Sequence, residues 1–203
     1  MKKIGVLSMK GGAGKTTITV HLAVAAAQRG MRVVVFDTNH DQLSAVVWSK
    51  ARGSGDPVVV GLEPMKLAGA LKAAALDGYD LALIDTAPNA GPDAVDVVKL
   101  IDRALIPVRP SVFDLAAVNQ TLEIVRRESI PAHIVLSACP LRAPEIAMAR
   151  EALSRSGVPV AMTEIGDRRP FARAIQTGRA VSEFEPEGKA AAEIAALLNE
   201  VLP

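Results

Sequence analysis

An apolar run, Ile4-Gly5-Val6-Leu7-Ser8-Met9, leads straight into Lys10-Gly11-Gly12-Ala13-Gly14-Lys15-Thr16-Thr17, and a stretch of helical period begins at once behind it. A strand, a tight loop and a helix are the elements that this order dictates. The glycines let the backbone curl so that successive N–H groups point inward, toward an anion. Lys15 adds a mobile positive charge for the β- and γ-phosphates of a nucleotide, and Thr16 offers a hydroxyl to Mg²⁺. The helix that starts at Thr16 brings its dipole to the same place. The usual form of such a loop, G-x-x-x-x-G-K-[ST], has glycine where Met9 stands, and here a second lysine, Lys10, lies inside the loop. A glycine-rich turn with a solvated lysine would not require this strand–loop–helix setting.

The remaining chain repeats the alternation. Apolar, β-branched runs at 4–9, 32–36, 57–60, 81–84, 104–108, 133–136 and 158–162 predict strands, and Ala/Leu-rich stretches at 16–29, 43–52, 65–76, 92–101, 115–128 and 144–156 predict helices. The runs are apolar at consecutive positions, as in strands buried on both faces of a parallel sheet. The fold class is therefore α/β, a doubly wound, mainly parallel sheet flanked by helices. At 203 residues, with 50% hydrophobic side chains, the chain is expected to form one domain over 1–203 and to be folded throughout. The stretch Gly53-Ser54-Gly55-Asp56-Pro57 is a loop within it, and Ile194, Leu197, Leu198 and Val201 form the apolar stripe of a docking helix over 189–202.

Several function classes are excluded early. A net charge of +1 provides no global field to draw the chain to nucleic acid or membrane, so any polyanion must meet a local patch. The single cysteine, Cys139, rules out a disulfide framework and a multi-cysteine metal site from one chain. The apolar start is too short for a signal core of about 7–15 residues, and no run reaches the roughly 20 of a membrane span. A cytoplasmic protein is expected. His21 and His133 have no partners at metal spacing and are read as structural, and His40 as a loop residue with a catalytic alternative beside a γ-phosphate.

The loop with its extra lysine resembles the deviant Walker A motif of the ParA/MinD family of P-loop ATPases, and the likeness continues along nearly the whole chain. Val33-Val34-Val35-Phe36-Asp37 resembles that family's second strand, ending in an aspartate near Mg²⁺. Tyr79-Asp80-Leu81-Ala82-Leu83-Ile84-Asp85-Thr86-Ala87-Pro88 resembles its Walker B segment, with Asp85 on Mg²⁺ through water. The run 106–115 is similar to its Pro-rich segment beside the nucleotide, and Ile165, Arg168, Phe171, Ala174, Gly178, Val181, Glu183, Pro186, Ala190, Glu193 and Ile194 match the tail of short partition ATPases. The resemblance implies ATP and Mg²⁺ as ligands. It places ATP against Lys10, Gly11, Gly12, Ala13, Gly14, Lys15, Thr16 and Thr17, with Pro110 and Ser137 as candidates near adenine, and Mg²⁺ against Thr16, Asp37 and Asp85. It also implies that Lys10 reaches across an ATP-dependent sandwich homodimer to the partner's phosphates. From the residues alone, a cation there should stabilise charge that develops in phosphoryl transfer.

The sequence departs from that family where the second strand ends. The family's Asp-x-Asp-Pro-Gln becomes Asp37-Thr38-Asn39-His40-Asp41-Gln42, and the stretch 37–48 is one residue longer. Three readings stay open: Asp41 takes the water-positioning role, Asn39 holds the water by hydrogen bonds, or hydrolysis is nearly absent. Slow, partner-stimulated ATP hydrolysis with Asp41 contributing is the expectation.

Arg168, Arg169, Arg173, Arg179 and Lys189 supply a basic cluster for non-specific DNA, with a solvated face pairing to Glu183, Glu185 and Glu187 as the alternative. The resemblance implies a nucleoid-associated switch that drives plasmid or chromosome partition or positions another cargo. Its adaptor would be a ParB-type or ribbon-helix-helix centromere-binding protein, or another cargo-bound protein. The chain starts at its first strand, so a separate operator-reading domain is not expected. A MinD-like membrane cycle is the alternative, set against an acidic final helix. A metabolic ATP-dependent enzyme on the same fold is another.

Overall fold

In the computed structural model, which describes residues 1–53, 55–88 and 92–202, six parallel strands form one sheet in the order β3-β2-β4-β1-β5-β6. They are β1 (Lys2–Val6), β2 (Val33–Asp37), β3 (Val58–Gly61), β4 (Leu81–Asp85), β5 (Arg103–Val108) and β6 (Ala132–Leu136). The connecting helices are α1 (Lys15–Ala27), α2 (Ser44–Arg52), α3 (Leu67–Leu76), α4 (Pro92–Val98), α5 (Val112–Arg127) and α6 (Pro144–Ser154), with α7 (Arg169–Gln176), α8 (Val181–Phe184) and α9 (Lys189–Val201) completing the chain. Ser54, inside the expected 53–57 loop, lies outside the described residues.

The consecutive apolar positions divide between two cores because side chains alternate across a strand. Val33 and Val35 face the core that holds α1, α2 and α9, whereas Val34 and Phe36 face the one that holds α3, α4 and α5. Leu81 and Leu83 against Ala82 and Ile84 repeat the split on β4. Helix α9 buries Ile194, Leu197, Leu198 and Val201 as the stripe requires. Its acidic face is not simply solvated: Glu200 accepts from the Met162 and Thr163 N–H groups at 2.7 and 2.8 Å, and Glu193 accepts from the Gly166 N–H at 3.1 Å.

Two expectations need correction. The run 158–162 adds no seventh strand and touches β6 only through an isolated parallel bridge of Ile134 with Val160. Pro159 has no N–H to donate, and Glu200 has taken those of Met162 and Thr163. Helices α7 and α8 had no counterpart among the predicted elements, although Pro170 opens α7 and Phe171, Ala174 and Ile175 carry its apolar spacing.

The tail segment is tied to α2. The Trp48 indole N–H donates to the Arg179 carbonyl at 3.2 Å, and Arg52 forms a bidentate pair with Glu183 at 2.7 and 2.8 Å. Gly178, at φ 66°, lies where a Cβ would collide with the backbone of Ala51 and Arg52. Gly30 has a similar φ of 83° and open space around it. Both glycines suit a left-handed backbone, but only Gly178 also needs the room. Gly178→Ala should therefore cost about 2 kcal/mol or more of stability, against about 1 kcal/mol for Gly30→Ala, read from urea unfolding midpoints.

Candidate nucleotide site

Loops at the carboxyl ends of the central strands converge beside the start of α1, the edge of an open α/β sheet where ligands bind. The glycine loop leaves β1, and Gly12 and Gly14 take φ values of 76° and 90° that ordinary side chains resist. Lys15 is buried and curls back over the loop, donating to the carbonyls of Ser8 at 3.2 Å and Lys10 at 3.4 Å. Desolvation pulls its pKa below the usual lysine value, partly offset by the charge of Asp85. A phosphate anion would give this ammonium a stronger partner than either carbonyl.

Asp37 and Asp85 end neighbouring strands in register. The Thr16 hydroxyl donates to Asp85 Oδ2 at 2.6 Å, while Asp85 Oδ1 is buried without a hydrogen-bond partner among the described residues. Burial pushes the Asp85 carboxyl up to about 7, helped by the nearby Asp37 and opposed by the Thr16 hydrogen bond and Lys15. An orphaned carboxylate oxygen beside a threonine hydroxyl fits a hydrated divalent cation. Mg²⁺ keeps several waters and needs few protein ligands. Asp37 sits differently. Its oxygens accept from the backbone N–H groups of Asn39, Ala45 and Val46 at 3.1, 2.9 and 3.3 Å, so it caps α2. Burial raises its pKa against these bonds.

The loop borders two clefts. One, of about 350 Å³, is lined by Gly11, Gly12, Gly14, Lys15, Thr16 and Thr17 together with Asn39, Gln42, Pro88 and Arg109, and its polar walls suit phosphates. The other, of about 440 Å³, runs from Gly12, Gly14 and Thr17 past Ser137 and Ala138 to Ile165, Phe171 and Ile175, and its apolar walls suit a base. Ser137 lines the apolar cleft and donates to the Ala13 carbonyl at 2.9 Å, whereas Pro110 lines neither cleft and its neighbour Arg109 lines both.

Other expected residues are distributed unevenly. Asn39 reaches the phosphate cleft and its amide donates to Gln42 at 3.4 Å. Asp41 does not reach it. Its side chain is 81% exposed and meets His40 at 3.3 Å on the outer side of the turn. The turn 39–43 closes through N–H groups of Gln42 and Leu43 on the Asn39 carbonyl, which leaves Asp41 at its tip. Lys10 donates to Asp114 Oδ2 at 2.7 Å, and Asp114 also accepts from the Ser111 hydroxyl at the start of α5. Among the basic cluster, Arg168 departs from expectation: its guanidinium is paired with Glu193 at 2.6 Å and lines the base-side cleft. Arg169, Arg173, Arg179 and Lys189 are exposed. Glu183 pairs with Arg52 at 2.7 Å, and the charge of Arg179 from the cluster also acts on it.

Cys139 is buried with its thiol pushed up to about 12, too high for a nucleophile at neutral pH. His21 is buried, accepts from the Val181 N–H at 3.1 Å and meets Phe171 edge to face, so its role is structural. Sequence reading gives no site role to Gln42, names Phe171 only within the tail pattern, and includes Arg109 only within the 106–115 segment. Arg109 carried a readable signal, since it stands directly beyond the buried strand β5 as Asp37 and Asp85 end theirs.

Fold and loop together define a P-loop ATPase with a second lysine in its phosphate loop. Residues 4–181 match the model of the CobQ/CobB/MinD/ParA nucleotide-binding domain, and the chain belongs to that family. It is 31% identical to the "Maintenance of carboxysome distribution protein A" of Halothiobacillus neapolitanus over 98% of this chain and 96% of the relative. It is 29% identical to the chromosome-partitioning ATPase Soj of Thermus thermophilus over 62% of this chain and 63% of the relative. Among solved structures, McdA of Cyanothece without nucleotide superposes with a TM-score of 0.83 at 16% identity over the whole of both chains. The cell-division ATPase MinD of Pyrococcus furiosus does so with 0.79 at 23% identity over 98% of each. These two likenesses speak for the fold.

A cation held beside Asp85 requires the ionised carboxylate. In the metal-free protein that group is protonated below about pH 7, so the tightening of ATP binding by Mg²⁺ should grow as pH rises from 6 to 8. Asp85→Asn should abolish the Mg²⁺ effect at every pH, measured as the ratio of ATP dissociation constants with and without Mg²⁺.

Proposed function

We propose that this chain is a ParA-type positioning ATPase, in which ATP closes a homodimer, the dimer holds non-specific DNA, and a cargo-bound adaptor triggers hydrolysis and release. The phosphate loop carries this reading. In it, Lys15 folds onto the carbonyls of Ser8 and Lys10, and Lys10 pairs with the buried Asp114 in the first turn of α5. Lys10 would exchange Asp114 for the partner's phosphates when the dimer closes. ATP would lie with its base between Phe171 and the Ser137 turn and its phosphates under Lys15, with Thr16 and Asp85 holding hydrated Mg²⁺. Asp37 would support that pair by fixing α2 and the charge beside Asp85, not as a ligand of its own. The whole of 1–203 would act as one domain, in the cytoplasm and on the nucleoid.

Hydrolysis in this reading is slow. Asn39 and Gln42 offer amides, not a carboxylate, at the phosphate end of the cleft, so they orient a water without taking its proton. Asp41 would contribute only if the turn 39–43 rearranged. Phosphoryl transfer depends on positioning and charge more than on a strong base, so this arrangement suits a timer.

Arg169 and Arg173, one turn apart on α7, with Arg179 and Lys189, supply exposed cations for DNA phosphates. A lipid anchor finds less support, because the apolar stripe of α9 is buried against the body. Relatives of nearly the same length carry the name of carboxysome distribution, which favours a large protein assembly as cargo over a plasmid. The adaptor would then be a protein of that assembly. For a plasmid it would be a ParB-type or ribbon-helix-helix protein. Binding to duplex DNA of arbitrary sequence should appear with ATP, be absent with ADP, and fall steeply between 50 and 200 mM salt, roughly as a power of salt set by the number of phosphates neutralised. Arg169→Ala with Arg173→Ala should weaken it by about tenfold or more. Equal binding in all nucleotide states, or none, would contradict the proposal.

A further inference from the structure

Arg109 is the one cation at the nucleotide site that no described residue engages. Lys10 is taken by Asp114 and Lys15 by two carbonyls, whereas Arg109 makes neither hydrogen bond nor ion pair with any described residue. It is the first residue beyond β5, at the carboxyl edge of the sheet beside β1. Its own carbonyl accepts from the Ser111 N–H at 2.8 Å across Pro110, so a tight turn fixes where the side chain starts. The guanidinium then lies over the phosphate loop. A Cβ built on Gly12 would stand 3.5 Å from Nη2 and 3.9 Å from Cζ.

Its position along the site is equally specific. Four residues line both clefts: Gly12, Gly14, Thr17 and Arg109. The first three belong to the loop and the helix behind it, which form the floor. Arg109 is the only one of the four that comes from another strand, and it covers the joint from above. A nucleotide with its base in the apolar cleft and its terminal phosphate near Asn39 must pass its α- and β-phosphates through that joint.

We propose that Arg109 clamps the α- and β-phosphates of the bound nucleotide from the face opposite the glycine loop, within its own chain. A guanidinium offers a planar fork to two phosphate oxygens, which an ammonium cannot reproduce. The inference rests on the nucleotide-binding reading of the site and extends it to a residue outside the loop. It also separates two cationic duties. Lys15 serves the phosphate end from below, and Arg109 holds the part of the nucleotide that ATP and ADP share. A clamp on the shared phosphates retains ADP after hydrolysis, so it makes product release slower.

Equilibrium binding of fluorescently labelled ADP, ATP and adenosine, with Mg²⁺, to the parent, Arg109→Ala and Arg109→Lys tests this. Arg109 is exposed and unpaired, so both variants should keep the parent's circular dichroism and unfolding midpoint. Arg109→Ala should weaken ADP and ATP alike by about tenfold, speed ADP dissociation by a similar factor and leave adenosine unchanged. Arg109→Lys should recover only part of the loss. Unchanged ADP affinity in Arg109→Ala would overturn the clamp, and a loss confined to ATP would move the contact to the γ-phosphate and overturn the assignment. A parent chain that binds neither ADP nor ATP would instead defeat the nucleotide reading beneath it.

Discussion

The hydrogen bond from Thr16 to Asp85, 2.6 Å long, joins the first turn of α1 to the end of β4 and fixes the relation on which the site depends. Helix α1 starts where the glycine loop ends, so anchoring its first turn also sets the direction of the loop's N–H groups. Asp85 cannot move to accommodate it, because β4 lies in the middle of the sheet with β1 and β2 on either side. The other oxygen of the same carboxylate is buried without a donor among the described residues. Such a group is costly in a closed interior and tolerable where a ligand completes it.

A second carboxylate links this centre to the rest of the chain. Asp37, in register with Asp85, spends its oxygens on the first N–H groups of α2. Helix α2 ends in Trp48 and Arg52, which hold Arg179 and Glu183 beside α7 and α8. One short helix therefore runs from the phosphate cleft to the segment that carries the exposed arginines of α7. The far end of α2 is clamped by the bidentate Arg52–Glu183 ion pair and by the close approach of Gly178.

Much of this was legible in the sequence for a physical reason. Buried parallel strands must be apolar on both faces, so runs such as Val33-Val34-Val35-Phe36 announce themselves, and a phosphate loop needs glycine and lysine at fixed spacing. Lys15, Thr16 and Asp85 accordingly meet at the carboxyl edge of the sheet, and Ser137 lines the apolar cleft beside them. The failures share a cause as well. Arg168 and Asp41 were chosen by charge and position along the chain, but Glu193 from a helix some 25 residues away claims the first and a local turn points the second outward. Spacing does not encode a partner brought by tertiary packing. The same limit applies to the absent strand at 158–162, whose hydrogen bonds Glu200 diverts, whereas Arg109 stands at a legible position directly beyond β5 and only the cleft, formed by residues from four separate stretches, shows what it faces.

In the function proposed above, ATP and not ADP would join two copies of this chain through Lys10. Light scattering after size-exclusion chromatography measures that directly, with each nucleotide and Mg²⁺, on the parent and on Lys10→Ala. The expected result is one chain with ADP, two with a non-hydrolysable ATP analogue, and one with either nucleotide for Lys10→Ala. A parent that stays at one chain with the ATP analogue, or that pairs equally well with ADP, would contradict it.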